Sequence, residues 1–109
     1  MNMTPEMKRE KLADLAFYSD FTKAQANAFR YLGDFGHLFP SPRDDKKYRI
    51  LNPETREWVD FGQMGFSDYT KHGDELRRNN YLKRATAIRG DWRNNYYSPN
   101  NLAIHILWQ

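Results

Sequence analysis

Six cations fall between Arg77 and Arg93, namely Arg77, Arg78, Lys83, Arg84, Arg89 and Arg93, and Trp92, Tyr96 and Tyr97 stand among and just after them. Their chemistry would be recognition of a polyanion, with guanidinium and ammonium groups neutralising phosphates and aromatic rings stacking on bases or lying against sugars. Arg77 and Arg84 are seven apart and would share one face of a helix, with Arg78 and Lys83 to either side of it. Two plainer uses compete with that one. Arg77 or Arg84 could pair with Asp60, Asp68 or Asp74 on a solvated helix face, or the basic face could dock on an acidic protein surface.

No second group of residues carries a reaction. The chain has no Cys, which removes thiolate nucleophiles, disulfide frameworks and Cys-based zinc sites. His72 and Asp74 read as a turn histidine beside a helix-capping aspartate, since no second His or Cys stands at ligand spacing, and His37 and His105 lie far from them in the chain. Gly62-Gln63-Met64-Gly65 lacks the Lys-Ser/Thr and the glycine count of a phosphate-cradling loop; its use is a sharp turn out of a strand. No Ser or Thr is marked as a nucleophile by its neighbours. The expectation is therefore no catalytic residue, no metal, no cofactor and no small-molecule substrate. Leu107 and Trp108, at the end of an apolar stripe, serve either as an assembly anchor or as core.

The elements that must position these side chains can be read from caps and periodicity. Thr4-Pro5 opens a helix over Pro5 to Phe17, and Asp20 caps a second with Phe21, Ala24, Ala28, Phe29 and Leu32 on one face, stopped at Gly33. The two could also form one longer, bent helix. Asp34 to Lys47, with Gly36, Pro40 and Pro42, reads as a loop or linker. Tyr48 to Leu51 and Glu57 to Phe61 make a β-hairpin around Asn52 to Arg56, with Trp58 and Asp60 on one face and Val59 and Phe61 on the other. Asp74 caps a basic helix from Glu75 to about Arg89, stopped at Gly90, with an apolar stripe of Tyr81, Leu82, Ala85 and Ile88. Ser98-Pro99 starts a last helix that runs to Trp108, apolar at Leu102, Ala103, Ile106 and Leu107.

Length and composition set the bounds. A chain of 109 residues makes one domain, and aromatics at 16% with charged residues at 28% give it large side chains to bury and an ordinary polar surface. The net charge of +3 is small, but Lys and Arg outnumber Asp and Glu seven to three in residues 71–93, whereas residues 1–45 hold six against seven. No apolar run approaches the ~20 residues of a spanning helix, and Met1 to Glu6 lacks the layout of a signal peptide. A soluble, intracellular protein without membrane contact is expected.

Phe61-Gly62, Tyr69, His72, Asp74, Arg77-Arg78, Tyr81-Leu82-Lys83-Arg84, Ile88-Arg89-Gly90-Asp91-Trp92, Ser98-Pro99-Asn100 and Leu107-Trp108, in that order, resemble a family of short uncharacterised proteins of large nucleocytoplasmic DNA viruses and some phages. The resemblance covers about Lys47 to Trp108 and leaves the first 45 residues outside. It implies a viral protein associated with the virion or with nucleic acid. Many members carry a His after the Arg that corresponds to Arg84; here Ala85 takes that place.

These observations lead to an α+β fold: a small single domain of two N-terminal helices, a β-hairpin, a basic helix and a short C-terminal helix. Residues 1–45 would be a helical extension and 46–109 the family-like core. The expected function is that of a non-enzymatic minor virion component that docks on capsid or other virion proteins through Arg and aromatic contacts. The alternative is a viral protein that binds or condenses double-stranded DNA with the basic face of residues 75–89, and a third possibility is an inhibitor of a host enzyme. The expected location is the virion, and the host cytoplasm or nucleus during infection.

Overall fold

The computed structural model describes residues 3–109. It is an α+β fold in which α-helices flank a three-stranded antiparallel sheet of order β1-β2-β3. Helix α1 spans Pro5–Leu15 and α2 spans Phe21–Leu32; they are separate helices, parted at Ala16 to Asp20. Each begins on a side-chain cap that satisfies a free N–H: Thr4 accepts from Met7 N at 3.1 Å and Asp20 from Lys23 N at 3.2 Å. Helix α1 stops two residues short of Phe17, whose ring is exposed.

The segment expected to be a loop holds the edge strand of the sheet. Strand β1, Phe39–Pro40, pairs with β2, Lys46–Asn52, and β2 pairs with β3, Glu57–Gln63. Pro40 suits that edge because it has no N–H to leave unpaired there. Both hairpin strands are longer than the apolar pattern indicated, so only four residues, Pro53 to Arg56, remain in the connection. Gly36 lies just before β1 against α2: a Cβ on it would meet the Ala28 carbonyl oxygen at 2.4 Å, so only glycine lets the chain cross the helix this closely.

One core joins the two ends of the chain. Tyr48, Ile50 and Phe61 from the inner sheet face are fully buried with Ala24 and Ala28 of α2 and with Leu102, Ile106 and Leu107 from the C-terminal segment. The small residues of α2 let that segment approach, and the Asn27 amide donates to the Ile106 carbonyl at 2.9 Å. The last helix is not one α-helix from Pro99 to Trp108. Helix α5 covers only Pro99–Leu102, and Ala103–Leu107 continues as a π-turn closed by Trp108 N on the Ala103 carbonyl. The wider turn places Ile106 and Leu107 together in the core, and Asn27 satisfies a carbonyl there.

Candidate polyanion-binding cleft

Two helices follow the sheet. Helix α3, Tyr69–His72, is a single turn, and α4, Glu75–Thr86, begins where the Asp74 carboxylate accepts from Leu76 N at 3.0 Å and Arg77 N at 3.2 Å. The basic helix ends at Thr86, three residues before the expected Arg89. Side chains take the carbonyls that would have continued it: Arg93 donates to the Thr86 carbonyl, and Trp92 Nε1 to that of Ile88 at 2.8 Å. Ile88 is exposed, so no buried face prolongs the helix.

Between α4, the loop that leaves β3, and the C-terminal segment lies a cleft of about 670 Å³. Arg77, Asn80, Tyr81 and Arg84 reach it from α4, Lys46 and Gln63 from the sheet, and Phe66 from the loop. Asn100, Leu107 and Trp108 close the opposite side. No carboxylate lines it.

The acids that could have neutralised Arg77 and Arg84 are occupied elsewhere. Asp60 accepts from the Ser41 hydroxyl at 2.6 Å and lies 3.9 Å from Arg49, and Asp74 is committed to the cap of α4. Asp68 is fully buried and holds Lys47 Nζ at 3.0 Å. Among the described residues, no ion pair engages Arg77, Arg84 or Lys46. The cleft is thus cationic without internal compensation, which raises its potential toward anions.

Lys47 also borders the cleft, but it serves the fold. Its ammonium is buried with Asp68 and also donates to the Phe66 carbonyl at 2.6 Å. Burial lowers its pKa, and the attraction of Asp68 opposes that shift. A chain of hydroxyls feeds the same carboxylate: Tyr48 donates to Ser19 at 2.8 Å, Ser19 lies 3.2 Å from Thr70, and Thr70 donates to Asp68. These buried groups tie the loop to β2 and to the start of α2. Gly62 opens the floor of the cleft at φ 78°, and a Cβ there would strike Leu107 Cδ1 at 2.7 Å.

The other residues expected to bind a partner divide clearly. Arg78 turns inward: its Nε donates to the Trp108 carbonyl at 2.7 Å and its guanidinium lies over the Tyr69 ring. Arg93 stacks over Trp92 at 4.3 Å while holding Thr86, so both close the end of α4. Tyr96 stacks on Tyr31, and Tyr97 packs against the core. Lys83 and Arg89 are exposed and do not border the cleft. Leu107 is 1% exposed and cannot be a surface anchor, because it fills the core above Gly62. Trp108 is half-buried, stacked on Tyr81 at 4.1 Å with its carbonyl held by Arg78.

His72 has no partner suited to catalysis. Its Nδ1 accepts from Asp74 N at 2.9 Å, and its pKa is lowered first by burial and then by Arg77. The described residues contain no group of His, Cys, Asp or Glu arranged to hold a metal. No helix among them is long and apolar enough to cross a membrane. The charge count missed Lys46, Gln63, Phe66 and Asn100, which come from other elements. Asn80 could have been found, since Arg77, Asn80 and Arg84 follow the i, i+3, i+7 rule of one helix face.

No curated protein and no solved structure matches the chain. The family-model match begins at Gly36, earlier than the resemblance, and stops at Ala85, so it takes in the sheet and the α4 wall of the cleft but not the C-terminal wall. Over residues 36–85 the chain matches the model of a family of unknown function, DUF5754.

Proposed function

We infer that this chain is a non-enzymatic nucleic-acid-binding protein of a large DNA virus. The observation that carries the binding reading is the cleft in which Arg77, Arg84 and Lys46 face a common space without a carboxylate. Arg77 and Arg84 are exposed and Lys46 is half-buried, so together they hold a positive potential open to solvent, and a phosphate backbone supplies several anions in a row to meet it. The viral setting rests on the ordered motifs from Phe61-Gly62 to Leu107-Trp108, and it puts the protein in the virion or in the infected cell. Among the sequence-level alternatives, this reading gains because Leu107, Trp108, Arg78 and Arg93 are used internally.

The test is retention on immobilised DNA at low salt. Arg77→Ala/Arg84→Ala should elute early, whereas Lys8→Ala/Arg9→Ala, which removes two exposed cations from α1, should elute nearly with the wild type. Equal retention of the two double variants would contradict the reading.

A second reading, a minor virion component docked on another particle protein, is favoured by the outer face of the sheet. Phe39, Leu51 and Trp58 are each more than a third exposed there, with Phe39 packed edge-on to Trp58 and Arg49 over the Trp58 ring. Such a cluster of aromatics beside an Arg resembles the centre of a protein interface. Crosslinking in purified particles tests it: Trp58→Ala should abolish a specific crosslink that Arg77→Ala/Arg84→Ala leaves intact.

A further inference from the structure

We propose that the cleft binds an unpaired nucleic-acid strand, one nucleotide of which inserts against Phe66, and does not bind a duplex. This rests on the nucleic-acid reading above and deepens it. A helix that reads duplex DNA projects into the major groove and needs its reading face clear. Here the Arg77–Arg84 face of α4 forms a wall of a concavity, with Phe66 and the Ala103 to Trp108 segment also lining it. The volume of about 670 Å³ lies in the range of small-molecule sites and gives room for a single nucleotide.

The lining also has the composition that such a nucleotide requires. Arg77 and Arg84, about 10.5 Å apart along the axis at 1.5 Å per residue, can hold two phosphates of one strand, with Lys46 supplying a third charge. The side-chain amides of Gln63 and Asn80 offer donors and acceptors to a Watson–Crick edge, which is reachable only when the base is unpaired, whereas the Asn100 amide already donates to the Ala85 carbonyl at 3.0 Å. Phe66 is 63% exposed, yet its backbone carbonyl is fixed by the buried ammonium of Lys47 at 2.6 Å. A bare ring on a pinned backbone is a stacking platform that costs little ordering on binding. Ile88, also exposed at the cleft, gives the base an apolar second contact.

The experiment is a fluorescence-anisotropy titration of the full chain with a labelled oligothymidine and with a blunt duplex of equal phosphate number, in the same buffer. The single strand is expected to bind at least about 10-fold more tightly. Phe66→Ala should weaken single-strand binding by roughly 5-fold or more while leaving its salt slope unchanged, and the exposed ring can be removed without unfolding, as a thermal melt checks. Free thymidine monophosphate should compete only weakly, because it engages fewer of the cations. Duplex binding as tight as single-strand binding, a silent Phe66→Ala, or competition by the mononucleotide as strong as by the strand would each overturn the inference while leaving the nucleic-acid reading standing. Failure of both strands to bind would overturn both.

Discussion

Lys47 and Arg77 are both cations at the cleft, and burial separates their roles. The Lys47 ammonium is compensated inside the protein by Asp68, so its removal should be read in stability. Asp68→Ala leaves that ammonium buried with only the Phe66 carbonyl, and is expected to cost about 3–5 kcal/mol in urea unfolding. Lys47→Met/Asp68→Ala should cost less than Asp68→Ala alone, since no charge is then stranded; a double variant that sums the two single costs would show that the pair is not coupled. Gly36→Ala should lose roughly 1–3 kcal/mol, because its Cβ would collide with the Ala28 carbonyl, a backbone atom that cannot swing away. Sequence alone marked Asp68 only as one of three possible Arg partners. Its true partner, Lys47, sits in β2, and pairing across 21 residues between a strand and a loop leaves no local signature.

Among elements, those announced by local chemistry were legible. Thr4, Asp20, Asp74 and Ser98 all cap the helices that follow them, and the alternation along β3 puts Phe61 inside and Trp58 outside. What was not legible depends on tertiary partners. Strand β1 exists because β2 offers it an edge, α4 ends early where Arg93 takes its Thr86 carbonyl and Trp92 the carbonyl of Ile88 beyond it, and the π-turn at Ala103 to Leu107 follows from the demands of the core. The candidate site shows the same division: its α4 wall follows from helical spacing, but the facing wall needs the fold. Asp74→Ala should destabilise by about 1 kcal/mol, through loss of the α4 cap, and should weaken nucleic-acid binding as the helix that carries Arg77 frays. Thermal melts and a binding titration on the same sample check both effects; unchanged affinity with lowered stability would mean that the first turn of α4 does not position the cations.

At the scale of the whole molecule, titration of half-buried rings limits the stable pH range. His105 is stacked on Tyr31, and burial lowers its pKa; burial and then Arg77 do the same to His72. A histidine whose pKa is depressed by folding contributes stability above its unfolded value, near 6.5, that is lost as pH falls. Tyr31 is pushed up to about 12 by burial, so its contribution persists below pH 10 and fades as pH rises through 10 to 12. The melting temperature should therefore fall below about pH 6.5, and His105→Phe should flatten that acid limb; an unchanged acid limb would assign the loss to other groups.

If phosphates match the unpaired cations of the cleft, nucleic-acid affinity must depend steeply on salt. For a single strand, log K is expected to fall linearly with log salt at roughly 0.7 per phosphate neutralised, so three cations give a slope near −2. Arg77→Ala/Arg84→Ala should bring that slope to within about one of zero as affinity drops. A wild-type slope near zero, or a double variant with the wild-type slope, would mean that these cations do not meet phosphates.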